Sequence, residues 1–213
     1  MKRALLIGDS SRVARFSAEK KAECIREIFE NYLAVDVMEN YDALSIEKMR
    51  EYKLLIFCTE PENWKEKRSR RLIADIITYT VNGGGILGIH NGLLNGVDHE
   101  MNCLWGASLR TKLPAGLLDY KPVEEKHLIL DQGCVPFSLE DEPLIVDFDI
   151  FAEKCRVLYN MHYGTKAFPA VWINHYGSGR IACVVPGHGS HTFLNTEWQR
   201  IVLRSGRWAA GLL

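Results

Sequence analysis

Several features are missing from this 213-residue sequence, and each absence excludes a class of protein. There is no Cys-x-x-Cys pair. The six cysteines, Cys24, Cys58, Cys103, Cys134, Cys155 and Cys183, are scattered, which argues against a disulfide framework in a chain of this size. Cys58 and Cys183 sit inside apolar runs, where cysteine serves as a small hydrophobe. No apolar run approaches the length of a transmembrane helix, so no membrane partner is expected. The opening, Met1 to Gly8, carries only a short apolar stretch before Gly8-Asp9-Ser10. That is too short for the apolar region of a secretory signal, and a cytoplasmic protein is the expectation. There is no excess of one charge either: 26 basic and 27 acidic residues leave a formal net charge of −1. That balance gives no reason to expect a nucleic-acid partner. The one basic run, Lys65 to Arg71, has no aromatic or glycine pattern with it and reads as the solvated start of a helix. Repeats, low-complexity tracts and linkers are lacking, so a single domain over 1–213 is the simplest account.

What is present is the mix of a globular protein, 47% apolar and 25% charged. Ala4 to Gly8, Val35 to Met38, Leu54 to Cys58 and Gly85 to Ile89 read as short strands. The third is apolar throughout, as a strand covered on both faces should be. Between them lie helical spacings: Ile25, Ile28, Phe29 and Tyr32, and then Ile73, Ile76, Ile77 and Thr80 on a helix from about Lys65 to Asn82. Gly83 is a natural stop for that helix. The alternation predicts a three-layer α/β/α sandwich with a mostly parallel sheet. From Asn91 to Asp149 the pattern weakens to a short helix around Met101, Leu104 and Trp105, followed by irregular antiparallel strands. Ala170 to Ile173 and Arg180 to Val185 flank Tyr176-Gly177-Ser178-Gly179 and predict a late antiparallel hairpin. A last helix starts near Thr196, where Thr196 and Gln199 fit a capping box, and buries Trp198, Ile201, Val202, Ser205, Trp208 and Ala209.

In open parallel sheets, ligands gather beyond the carboxyl ends of the strands. Those ends carry Asp9 and Ser10, Thr59 and Glu60, His90 and Asn91, and Gly187 and His188. Residues 88–92, Gly-Ile-His-Asn-Gly, have the form of a nucleophile elbow, in which flanking glycines let the chain turn sharply and lift the central side chain above the sheet. Here that side chain is an imidazole, which can act as general base, metal ligand or strand cap. His188 follows an apolar strand and Pro186-Gly187, and reads either as a site histidine or as a turn histidine. Glu60 is a candidate acid/base, or a helix-capping carboxylate. His162 and Tyr163 form a polar-aromatic cluster suited to a sugar ring or to a surface loop. His99, His127 and His175 have no supporting pattern and read as structural or exposed. His90 and His188 with Glu60 or Asp9 make a donor set acceptable to zinc, without any local metal-binding spacing.

The ordered set of segments resembles the ThuA-like (trehalose utilisation) family. It comprises the glycine-rich run from Gly83 into Gly88-Ile89-His90, Pro169 to Trp172, Tyr176 to Arg180, Pro186-Gly187-His188 and Trp208-Ala209-Ala210-Gly211. Phe137 and Glu140-Asp141-Glu142 resemble a further family segment. The resemblance implies a class I glutamine amidotransferase-like, flavodoxin-like fold. It also implies a role in carbohydrate metabolism, with a sugar or oxidised sugar as partner and a homo-oligomeric state. True amidotransferases carry cysteine at the elbow and a His-x-Glu pair late in the chain. His90 replaces the first, and Gly189-Ser190 follows His188 in place of the second, so glutamine hydrolysis is not expected. Two family histidines are replaced as well, by Leu113-Pro114 and by Asp9-Ser10-Ser11. The readings that remain are acid/base or metal-assisted sugar chemistry at His90 and His188, a non-catalytic sugar-binding or assembly module, and a hydrolase using Ser10 or Thr59.

Overall fold

Five short segments rich in Leu, Ile, Val and Ala form the parallel half of the sheet. In the computed structural model, which describes residues 1–8, 18–39, 43–58, 70–95, 99–123, 126–130, 133–148 and 155–213, strands β1 (Lys2–Ile7), β2 (Leu33–Met38), β3 (Leu54–Phe57) and β4 (Gly85–Ile89) run parallel. All four residues of β3 and all five of β4 are buried, as expected for strands covered on both faces. The helices between them are α1 (Ala18–Phe29), α2 (Ile46–Met49) and α3 (Arg70–Val81). On α1, Ile25 and Phe29 are buried, but the helix ends before Tyr32. That ring is 39% exposed, with the Arg207 guanidinium 4.1 Å from its centroid. On α3, Ile73, Ile76 and Thr80 face the core together with Leu72 and Tyr79, and Ile77 is half-buried. Gly83, at φ +97, turns the chain out of the helix, and the amides of Gly83 and Gly84 satisfy the carbonyls of Thr80 and Tyr79.

The weakly patterned middle holds α4 (His99–Trp105), which buries Met101, Leu104 and Trp105, and strands β5 (Ala107–Lys112), β6 (Gly116–Pro122), β7 (Phe137–Asp141) and β8 (Leu144–Phe148). After it come β9 (Arg156–Tyr163), β10 (Lys166–Tyr176) and β11 (Gly179–Val184), then α5 (Ser190–Phe193) and α6 (Thr196–Ala209). The late hairpin is β10 and β11, longer than the sequence pattern suggests. The last helix begins at the expected residue, but its cap is Asn195. The Asn195 Oδ1 accepts from the Trp198 amide at 2.9 Å, while the Gln199 amide group donates to the Phe193 carbonyl at 2.7 Å. Asparagine outcompetes Thr196 because its carbonyl reaches the third amide from just outside the helix.

Among the described residues the main sheet has nine strands in the order β2-β1-β3-β4-β11-β10-β9-β6-β7. The strands from β2 to β11 are parallel neighbours, and those from β11 to β7 are antiparallel ones. A separate two-stranded antiparallel sheet pairs β5 with β8. The fold is thus mixed α/β, with the parallel sheet and late hairpin that the sequence predicts and an antiparallel extension built from its least legible third.

The extension positions the site. β10 meets β11 only from Val171 onward, so its earlier residues, with β9, overhang the carboxyl end of β11. Strands β6 and β7 pair onto that overhang. Between β11 and β7 lie three strands, a span of about 19 Å on a flat sheet at 4.7–4.9 Å per strand. Yet the Asp141 carboxylate, at the end of β7, lies 2.9 Å from the Gly187 amide just after β11. The sheet therefore coils back over its own carboxyl edge. Register shifts between Pro169 and Trp172 add the twist that permits this.

Candidate functional site

The Gly-Ile-His-Asn-Gly segment is a strand-to-helix elbow. β4 ends at Ile89, and His90 opens a 3-10 turn, His90–Asn95. His90 adopts φ +45, the one positive φ at a non-glycine among the described residues. Such a backbone is costly for a side-chain-bearing residue and persists only where surrounding packing enforces it. Both flanking glycines are needed for close approach. A Cβ on Gly92 would lie 2.1 Å from the Phe57 carbonyl oxygen, and one on Gly88 would lie 2.5 Å from Leu93 and 2.8 Å from Trp105.

The His90 side chain is fully buried. Its Nδ1 lies 2.7 Å from the Val185 carbonyl oxygen, which can only accept. Nδ1 therefore carries the proton, and in the neutral ring Nε2 presents a lone pair. That Nε2 lies 3.2 Å from His188 Nδ1 and 3.5 Å from Glu142 Oε2. His188 Nδ1 is in turn 3.8 Å from the same Glu142 oxygen. The two rings meet edge to face, with centroids 5.2 Å apart. His188 is 39% exposed, so the cluster runs from a buried imidazole to one open to solvent.

Asp141 holds this arrangement together. Its buried carboxylate accepts from the amides of Gly187 (2.9 Å), His188 (3.1 Å) and Glu142 (2.7 Å), and from the Thr192 hydroxyl (2.9 Å). One carboxylate thus ties the end of β7 to the loop after β11 and to α5. The Trp198 indole N–H fixes the same loop by donating to the Pro186 carbonyl at 2.8 Å. Glu142 occupies the joint between β7, in the main sheet, and β8, in the small one. Lys112 on β5 pairs with Leu144 and brings its ammonium to 3.7 Å from Glu142 Oε2.

The electrostatics follow from these contacts. When its ring is protonated, His90 can donate from Nε2, and that contact draws the Glu142 carboxyl down to about 2 against partial desolvation; the charges of Lys112, His90 and His188 add to the effect. Burial and then the neighbouring His90 push His188 below its usual value, while Glu142 and Asp141 pull the other way. Lys21 of α1 is buried, and desolvation lowers its amine, opposed by Cys58 and Asp141. At the end of β3, burial pushes the Cys58 thiol up to about 11, so it offers no thiolate near neutral pH.

Of the residues singled out from the sequence, His90 and His188 come together. Asn91 adjoins them, with its Oδ1 buried and without a hydrogen-bond partner among the described residues. Asp9, Ser10, Thr59 and Glu60 lie outside the described residues. His162 and Tyr163 are half-buried at the end of β9, on the overhanging arm. No hydrogen bond or ion pair among the described residues joins them to the histidine pair. His127 and His175 both pack edge-on against Trp208. The carboxylate that meets the imidazoles is Glu142, which the sequence did not single out as a site residue. Its only signal was the Glu140-Asp141-Glu142 match to a family segment. For Lys112 there was none.

The profile of the family described as ThuA, trehalose utilisation, matches residues 3–209. A ThuA-like protein from Bacteroides uniformis superposes with a TM-score of 0.79 at 17% identity, over 97% of this chain and 91% of that one. A cytoplasmic protein from Salmonella typhimurium LT2 gives 0.71 at 16% identity, over 99% and 98%. The cold-adapted β-galactosidase from Rahnella sp. R3 gives 0.68 at 15% identity, over all of this chain but 32% of that one. These similarities establish the fold. No curated protein matches the chain. Among the described residues no helix is long and apolar enough to cross a membrane.

Proposed function

The chain belongs to the ThuA family, and from that premise we propose that it binds a sugar or oxidised sugar over the carboxyl ends of β4 and β11. There it acts through His90, His188 and Glu142 by acid/base or metal-assisted chemistry. The observation that carries this reading is the 3.2 Å contact between a buried His90, whose tautomer the Val185 carbonyl sets, and a solvent-reaching His188. A lowered His188 is neutral near pH 7 and able to take a proton, as a general base for isomerisation, hydration or hydrolysis must. The family description, trehalose utilisation, supports a sugar as the substrate class. Glutamine hydrolysis is not part of the reading, because the elbow presents an imidazole and the nearby Cys58 thiol is held protonated.

A thermal-shift screen of sugars and keto-sugars on wild type and His188→Ala tests the proposal. Ligand binding raises the apparent melting temperature by mass action. A sugar that stabilises wild type but not the variant, and whose turnover His188→Ala abolishes, is the expected result. No response to any sugar would sink it. A second reading, a non-catalytic module, is favoured by one observation: the same fold makes up about a third of the Rahnella β-galactosidase. Sugar binding without turnover, unchanged in His188→Ala, would select that reading.

A further inference from the structure

The three atoms at the centre of the cluster have a geometry that an acid/base pair does not require. His90 Nε2, His188 Nδ1 and Glu142 Oε2 form a triangle with sides of 3.2, 3.5 and 3.8 Å. The circle through them has a radius of about 2.0 Å, which is the bond length zinc takes to imidazole nitrogen and carboxylate oxygen. We propose that His90 Nε2, His188 Nδ1 and Glu142 Oε2 bind a divalent ion of the zinc type, with a fourth coordination position left to substrate or water. The proposal deepens the functional reading above and rests on it only for the identity of what fills that fourth position.

Three observations point to a cation rather than to hydrogen bonds alone. The Val185 carbonyl accepts a hydrogen bond from His90 Nδ1–H, so the neutral ring can only accept at Nε2. A proton on His188 Nδ1 can satisfy that lone pair, but Glu142 Oε2 is then buried with no hydrogen-bond partner among the described residues. Leaving a buried carboxylate oxygen unpaired is unfavourable, whereas one dication serves all three lone pairs at once. The supporting contacts are those that orient metal ligands: the far nitrogen of His90 bonds a backbone carbonyl, and Asp141 fixes the backbone of both Glu142 and His188. The donor set also selects the ion. Two imidazoles and one carboxylate suit zinc, while calcium and magnesium prefer all-oxygen shells, and calcium bonds are longer, about 2.3–2.6 Å. The Lys112 charge opposes a cation, but its side chain is 40% exposed and its ammonium stands outside hydrogen-bond range of Oε2, so solvent screens it. Bound there, zinc would supply a Lewis acid to polarise a carbonyl or hydroxyl oxygen.

The test uses the full chain, purified without chelator or histidine tag, stripped and then titrated with zinc chloride by calorimetry in the absence of sugar. One zinc per chain is expected, with affinity reduced at least tenfold in both Glu142→Gln and His188→Ala. Circular dichroism confirms that each variant is folded. Cobalt substitution supplies a second readout, the intense visible bands of a four-coordinate ion in wild type and their loss in Glu142→Gln. His99 and Cys103, 3.7 Å apart on α4, are the control for binding elsewhere. Zinc that is lost in Cys103→Ser but kept in Glu142→Gln overturns the proposal, as does absence of binding at micromolar zinc. A sugar-induced shift that persists in stripped protein unable to bind zinc also overturns it, while leaving the functional reading in place. Zinc bound as expected with no response to any sugar overturns the functional reading and leaves the metal site standing.

Discussion

His90 Nε2 stands 3.2 Å from His188 Nδ1, across 98 positions of sequence, because two parallel strand ends, β4 and β11, lie side by side. The register pairs Ile89 with Val184, so each chain leaves the sheet at the same height. His90 turns back towards Val185 through its Nδ1, and His188 arrives from beyond Gly187. The contact therefore depends on the elbow backbone as much as on the imidazoles.

The backbone of His90 gives the first prediction. Asparagine tolerates positive φ better than other side-chain-bearing residues, whereas a β-branched residue does not. His90→Asn is expected to fold and to lose about 1–3 kcal/mol, from lost packing and the lost hydrogen bond to Val185. His90→Val is expected to lose a further 1–3 kcal/mol or so from strain at φ +45. Urea unfolding of the two variants compares them. Equal stability would show that the elbow backbone relaxes freely.

Asp141 is a positioning residue, and its four acceptor contacts set the second prediction. An amide has a single acceptor oxygen, and its NH2 would face donors. Asp141→Asn is expected to cost about 3 kcal/mol and to weaken zinc binding without removing a ligand. Asp141→Glu should restore part of the stability but not the affinity, since the longer chain displaces the loop before His188. A variant with wild-type melting temperature and affinity would contradict the clamp.

Acid titration of the metal-free protein gives the third. The Glu142 carboxyl is lowered from 4.5 to about 2 in the folded chain. A folded value below the unfolded one means stabilisation above pH 4.5, lost as pH falls towards 2. The stability advantage of wild type over Glu142→Gln should shrink as pH falls through that window. Partial exposure keeps the effect small. A gap that stays constant down to pH 2 would mean that Glu142 gains nothing from its neighbours.

Two glycines separate steric need from conformational need. A Cβ at Gly92 meets the Phe57 backbone at 2.1 Å, so Gly92→Ala is expected to cost about 3 kcal/mol or more and to shift His90. Gly164, in the β9–β10 turn, has φ +61 but open space around it. Gly164→Ala should cost only about 1–2 kcal/mol, and Gly164→Asn less. Thermal melts rank the three. Equal losses at Gly92 and Gly164 would contradict the close packing of the elbow.

Sequence patterns were most informative where one element buries a continuous face. The apolar runs of β1, β3 and β4 and the stripe of α6 were legible because burial on both faces, or at 3.6-residue spacing, leaves few alternatives. The elbow was legible because its glycines sit at fixed offsets from His90. The Asn195 cap was missed by one residue, since Thr196 and Asn195 offer similar oxygens and only the chain direction chooses between them. Strands β5 to β8 are blurred because few of their residues are fully buried, and their pairing is with partners distant in sequence.

Residue order alone therefore determined an α/β fold, a turn that lifts His90, and a late strand that ends at His188. Tertiary structure decided what meets them. Glu142 lies between two strands of different sheets and is carried to the histidines by a sheet that coils back over its own edge. Lys112 arrives from the partner strand of β8. Such neighbours depend on the twist and overhang of the β9–β10 arm, a sum of small rotations along many residues that no local spacing records.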